Sequence, residues 1–340
     1  MIPFLFIQIL LFTGLSFMKE SRYNSVIILA SMTFVLIMVA GFRPIGIDND
    51  SLSYVQSYQH PTGFLEISFL FISDLVRFIF NDVRALFVIY ALLGVIIKVY
   101  AIDKLTNLLF LSMAVYVSNF FILHEMTQIR VGVAAGLFLL SLKFIYDQKK
   151  KMAVFSILGA FLFHYSAVTL LPFLFMRTGS LNRIERFICI FIIPIAYLFS
   201  FTGLDLLSSI PIPYIQQKLT AYKEIMDMGL GDTVNIFSLL FLMKVILYYL
   251  LLWKESIVRE SDERISMFLR VEVASLASLI LFSSIPVISF RLNELYGVVE
   301  ICLFPLLFYI IKPYWISMLI VMTLSFIMFF LNVFYIGLLK

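Results

Sequence analysis

The chain has 340 residues, of which 62% are hydrophobic and only 14% charged, against roughly 25% charged residues in a soluble domain; with a mean hydropathy of +1.03, most of it has lipid as its solvent. The net charge of +4 comes with no basic face interleaved with exposed aromatics, which excludes nucleic-acid binding. Cys189 and Cys302 lie in apolar runs and read as small core residues, and His60, His124 and His164 lack metal-ligand spacing, so neither a metal nor another cofactor is expected.

The fold class that follows is an all-α polytopic integral membrane protein, one transmembrane domain over 1–340. A span needs about 20 apolar residues, and ten segments qualify: 2–18, 24–42, 85–101, 107–123, 130–146, 187–203, 236–253, 265–284, 295–311 and 314–332. No basic residue precedes Ile2–Phe17, so this segment is expected to be a span rather than a cleaved signal. Lys19 and Arg22 follow it and are placed in the cytoplasm by the excess of Lys and Arg in cytoplasmic loops. The segment 24–42 then exits, and the loop 43–63 lies outside.

Two apolar segments need the same rule. If 64–80 crossed, the Lys149–Lys151 cluster would end outside, so this segment, which carries Glu66, Asp74 and Arg77, is expected to be an interfacial helix. With it held outside, Lys98/Lys104, Lys143/Lys149–Lys151, Arg177/Arg183/Arg186 and Lys254/Arg259/Arg264 all fall inside. The segment 152–176 has basic clusters on both sides. Two half-crossings of about a dozen residues, roughly 18 Å each, keep both clusters inside and predict a re-entrant hairpin with its turn at His164-Tyr165-Ser166. The outer loops 43–63, 204–235 (with Ile210-Pro211-Ile212-Pro213-Tyr214) and 285–294 make the outer face. There is no internal repeat.

The concentrated polar groups collect on that face: Arg43, Asp48, Asp50, Tyr54 and Glu66, then His124 to Arg130, then His164, Tyr165 and Ser166, then Arg291 to Glu294. Ionisable groups near membrane depth are costly and tend to serve a site. The planar forks of Arg43, Arg130 and Arg291 suit phosphate oxygens, and Asp48 or His164 can take a proton. Arginines, a carboxylate and a histidine beside a lipid-exposed wall fit a lipid-linked pyrophosphate. The bland alternatives are ordinary: interfacial anchors for the arginines, a satisfied buried histidine for His164, turn residues for Asp48 and Asp50.

Arg43, Gly46, Asp48 and Tyr54, then Glu66, then Gln128-Ile129-Arg130 before a small-residue helix, then Phe163-His164-Tyr165-Ser166-Ala167 form a pattern that resembles the EpsG family, which belongs with the Wzy-type O-antigen and exopolysaccharide polymerases. It runs from about Arg43 to Pro172, with Arg291 as a late match. The family's Arg-Gln order is reversed here, since Gln128 precedes Arg130. The resemblance implies a GT-C-like glycosyltransferase in the bacterial inner membrane, its active site facing the periplasm. It would join repeat units carried on undecaprenyl pyrophosphate, without a nucleotide sugar or metal. The partners implied are these lipid-linked glycans, the membrane lipids and a chain-length regulator. Within it, His164, Asp48 and Arg130 would be catalytic, and Arg43, Arg291, Tyr54, Glu66 and Tyr165 would bind substrate. A lipid-linked oligosaccharide flippase, an O-antigen ligase and a membrane O-acyltransferase are the alternatives. The absence of paired repeats disfavours the first, and the absence of a His-x-x-x-Asp pair disfavours the last.

Overall fold

A computed structural model of the protein describes residues 1–17, 22–61, 65–202, 220, 228 and 233–339. Seven described helices are long and apolar enough to cross a membrane: Asn24–Gly41, Val83–Leu105, Leu109–Thr127, Ile129–Tyr146, Arg183–Phe201, Pro286–Tyr309 and Tyr314–Tyr335. The protein is a multi-pass helical membrane protein. Three of the expected spans are too short to count, which reduces the expected ten or so: Ile2–Ser16 and Leu239–Trp253 have 15 residues each and Ile265–Leu281 has 17. At 1.5 Å per residue these reach about 23–26 Å, less than the roughly 30 Å of a hydrocarbon core. Most of the outer segment 204–235, including Ile210–Tyr214, lies outside the described residues.

The chain forms two compact units, Met1–Thr178 with Glu300–Lys340, and Gly179–Val299. In the first, α1 (Ile2–Ser16) and α2 (Arg22–Gly41) precede a loop that is not all loop, because α3 (Ser51–Gln59) lies within 43–63. Then α4 (Ile67–Ile79) buries Phe69, Ile72, Ser73 and Val76 and exposes Phe71, Leu75, Phe78 and Ile79, the two-faced pattern of a helix that covers a core with one side. Next, α5 (Val83–Leu105) starts where the Asp82 carboxylate accepts from the Arg84 amide. After it, α6 (Leu109–Val115) widens into a π-helix over Tyr116–Thr127, so His124 to Thr127, expected on the outer face beyond a span over 107–123, continue the helix. Finally α7 (Ile129–Tyr146) runs alongside α5.

The α5–α7 pairing explains a further correction. Lys98 is not in a cytoplasmic loop with Lys104; it is wholly buried in α5. Its partner Glu125 is 27 residues away, too far for sequence spacing to reveal. Small residues set the contact: a Cβ on Gly132 would lie 2.7 Å from Glu125 Oε2, one on Gly94 3.3 Å from Glu125 Cδ, and one on Gly136 3.1 Å from Lys98 Cγ. The two helices therefore run in the same direction, with Gly94 level with Gly132. Gly94 has 11 residues of α5 before it and Gly132 only 3 of α7. At 1.5 Å per residue, α7 begins about 12 Å farther along that shared direction than α5, and Arg130 lies in its first turn.

Helix α8 (Lys150–Phe163) follows, and the chain reverses at His164, whose φ of −154° and ψ of 119° break the helix. A 3₁₀ helix over Tyr165–Phe175 leads back. Phe173 packs on Phe138 of α7 with ring centroids 5.3 Å apart, and the Gln148 amide donates to the Thr178 hydroxyl at 3.2 Å. Both ends of the segment thus stand at the C-terminal end of α7. Fourteen α-helical residues at 1.5 Å and eleven 3₁₀ residues at about 2.0 Å give arms of about 21 and 22 Å. Pro172 in the second arm has no amide hydrogen and opposes an α-helical turn there.

In the second unit, α9 (Arg183–Phe201) opens with a capping box between Asn182 and Glu185. It is followed by α10 (Leu239–Trp253), α11 (Glu255–Arg259), α12 (Ile265–Leu281) and α13 (Pro286–Gly297). Arg186 pairs with Glu255 at 2.6 Å and Arg270 with Glu185 at 2.9 Å. The expected outer loop 285–294 is helical. Pro286 suits a first turn, and the inward polar groups are satisfied: Ser275 donates to the Asn293 carbonyl at 2.9 Å and the Asn293 amide returns to Ser275 Oγ at 3.0 Å.

Candidate active site

Seven of the eight site residues expected from sequence belong to the first unit, most of them in two groups, one around Glu66 and one around Asp48. Glu66 sits just ahead of α4, in extended backbone, and is 4% exposed. Its two carboxylate oxygens have different partners. Oε1 lies 2.9 Å from His164 Nδ1, and Oε2 accepts from Arg130 Nη1. A carboxylate cannot donate, so His164 carries its hydrogen on Nδ1. Nε2 of His164 is buried and has no hydrogen-bond partner among the described residues. Burial pushes the Glu66 carboxyl up, but the hydrogen bond from His164 and the charge of Arg130 outweigh it and hold Glu66 below its ordinary range.

Aromatic rings wall this pair. The Arg130 guanidinium lies 5.3 Å from the Tyr54 ring centroid and 5.5 Å from that of Phe69. Burial raises the Tyr54 phenol above its usual value despite Arg130. The Tyr165 hydroxyl donates to the Leu65 carbonyl at 3.1 Å, which ties the reversal at His164 to the residue before Glu66. Tyr165 is itself exposed.

Arg43 and Asp48 form a second group. Arg43 Nε donates to Asp48 Oδ2 at 2.9 Å, with both side chains sealed from solvent. Asp48 Oδ1 accepts from the amides of Asp50 and Ser51 at 3.0 and 2.7 Å, at the entrance to α3. Both carboxylate oxygens of Asp48 are therefore engaged in shaping its loop. Gly46, at φ +90°, takes a backbone conformation that suits glycine, and its amide donates to Ser51 Oγ at 2.8 Å. Arg43 stacks 4.4 Å over Phe87, and Phe87 meets Tyr54 edge-on at 6.4 Å, so two rings stand between this pair and Arg130. Arg43 Nη2 is buried without a partner among the described residues. Asp50, half-buried, is raised by burial and by Asp48, with Arg130 opposing. Arg291 is exposed on α13 of the second unit.

Sequence reading missed a further buried network in the same unit. The Lys98 ammonium reaches Glu125 Oε1 at 2.7 Å, and the Tyr116 hydroxyl donates to the same oxygen at 2.7 Å. The available signal was spacing: Gly94/Lys98 on one helix answers Gly132/Gly136 on the other.

The model of the EpsG family matches residues 26–339. No curated protein and no solved structure matches the chain.

Proposed function

The chain belongs to the EpsG family, and on that premise we propose that it is a polysaccharide polymerase that joins oligosaccharide repeat units carried on undecaprenyl pyrophosphate at the periplasmic face of the bacterial inner membrane. The observation that carries this reading is the Glu66–His164–Arg130 cluster: an imidazole held by a carboxylate through Nδ1, its Nε2 without a partner, and an arginine on the same carboxylate. In the membrane, the two arms of about 21–22 Å enter from the cytoplasmic side and stop short of a crossing, with His164 at the tip buried against Glu66.

The growing glycan on its lipid pyrophosphate is the donor, and the acceptor is a repeat unit on a second lipid. An acceptor sugar hydroxyl attacks the donor's anomeric carbon. His164 Nε2 takes the hydroxyl proton as the new C–O bond forms. The bond from the anomeric carbon to the diphosphate oxygen breaks, and its electron pair leaves with undecaprenyl pyrophosphate. Arg130 stabilises the negative charge that grows on that leaving group. Glu66 stays ionised, fixes the tautomer of His164 and orients Arg130. Tyr54 positions Arg130, Arg43 with Asp48 builds the neighbouring loop, and Tyr165 borders the lipid-facing side.

His164→Ala and Arg130→Ala, each expressed in a strain deleted for this protein, test the reading. Both variants should reach wild-type abundance in the membrane and yield glycan of single repeat units. A normal ladder of chain lengths from both overturns the assignment.

A further inference from the structure

The segment leading into Arg130 is π-helical over Tyr116–Thr127, with the i→i−5 bond from the Gln128 amide to the Leu123 carbonyl at 2.9 Å and the Thr127 hydroxyl on the Ile122 carbonyl at 3.0 Å. A π-helix this long is rare, because the wider turn is less favourable than the α form. Something specific must hold it, and the geometry of one hydrogen bond indicates what. Tyr116 and Glu125 are nine residues apart and bonded at 2.7 Å. In an α-helix, at 100° per residue, nine residues turn through about 900° and put the two side chains on opposite faces. With about 4.4 residues per π-turn, nine residues make about two full turns and put them on the same face. The Tyr116–Glu125 bond therefore exists only in the π form.

Glu125 is held from outside its helix as well. Lys98 of α5 donates to both of its oxygens, at 2.7 and 3.1 Å, and also to the Gly132 carbonyl of α7. Gly94 and Gly132 leave room for this one carboxylate and little else. Every polar atom of the Lys98–Glu125–Tyr116 triad is buried, and a charge on either partner left alone there would be costly. The triad thus ties the π register to α5 and to the first turn of α7, the turn that carries Arg130.

We propose that the Lys98–Glu125–Tyr116 network holds residues 116–127 in the π-helical register and thereby sets where Arg130 stands, which makes Lys98 and Tyr116 positioning residues for the site. Its consequence for polymerisation rests on the function proposed above; the register claim does not. Relaxation of twelve π residues to the α form would lengthen the segment by about 4 Å and turn its outer end by more than half a turn, enough to withdraw Arg130 from Glu66.

The test is a distance. Spin labels at Asn107 and Gln128, in a Cys189→Ala, Cys302→Ala background, bracket the segment, and pulsed EPR reads their separation in liposomes alongside the glycan ladder. Lys98→Met with Glu125→Gln removes both charges together and leaves no orphan ion. It should lengthen the separation by about 4 Å and shorten the ladder. Tyr116→Phe, which preserves the ion pair, should add a second, longer distance to the native one and supports the test if the double variant does not insert. An unchanged single distance in both variants overturns the proposal, whatever the ladder shows. A lengthened distance with a normal ladder keeps the register lock and instead removes the role given to Arg130.

Discussion

Glu66→Gln isolates the central carboxylate with almost no change of shape. Glutamine has one carbonyl oxygen where Glu66 has two accepting oxygens, and these serve two donors, His164 Nδ1 and Arg130 Nη1. If the carbonyl faces His164, the new amide points its hydrogens at the guanidinium. If it faces Arg130, Nδ1 must accept, and the hydrogen moves to Nε2, where a base is needed. Removal of one member of a buried ion pair costs about 3–5 kcal/mol. The Arg130 side chain is 25% exposed, so water recovers part of this, and about 2 kcal/mol is the expected loss. Expressed in the rate, that is roughly 30-fold. Purified protein in liposomes, given lipid-linked repeat units and sampled over time, reads the initial rate of elongation directly. A rate within about twofold of wild type at equal protein would refute the idea that Glu66 orients both neighbours.

Two further outcomes follow from the same geometry. Because the Glu66 carboxyl is held below its ordinary value of 4.5, its contribution to stability is complete above that value and fades as pH falls through the depressed one. Wild type should therefore exceed Glu66→Gln in thermal midpoint by a constant margin above about pH 5, and that margin should shrink in more acid detergent solution; a margin that grows with acid would contradict the sign. Gly132→Ala brings a methyl to 2.7 Å from Glu125 Oε2 and 3.1 Å from the His124 carbonyl and should destabilise by about 1–3 kcal/mol. By contrast Gly14→Ala in α1, which meets nothing within 4 Å, should be neutral or stabilising by up to about 1 kcal/mol; equal midpoints for the two variants would remove the packing argument.

The pieces legible in the sequence were those that depend on local pattern. Hydropathy and the alternation of basic clusters gave the membrane class and pointed to 64–80 and 152–176 as unlike ordinary spans. In the structure one is a two-faced helix and the other doubles back at His164. The polar pattern singled out Glu66, Arg130 and His164, which are in contact though 64 and 98 residues separate Glu66 from its partners. Pairings across such distances were not legible. Lys98 six residues before Lys104 looks like a helix end facing the cytoplasm, and only the fold supplies Glu125 to bury it. Asp48 resembled a free carboxylate because its acceptors' partners, the Arg43 guanidinium and two backbone amides, depend on a turn that hydropathy does not register. The helical state of 285–294 was hidden for the same reason: Ser289 and Asn293 read as loop residues until Leu279 and Ser275 are placed beside them.

The matched arms on either side of His164 restrict how this stretch of chain can drift in length. One residue added to α8 would carry the imidazole about 1.5 Å along the axis and swing it by about 100°; one added to the 3₁₀ arm would displace Thr178 from Gln148 by about 2 Å. Little chain is on hand to absorb the error: three residues, 147–149, join α7 to α8, and Thr178, three residues past the 3₁₀ arm, is hydrogen-bonded to Gln148. Substitutions can accumulate along the outward faces of both arms, but insertions and deletions there must come in compensating pairs or not at all.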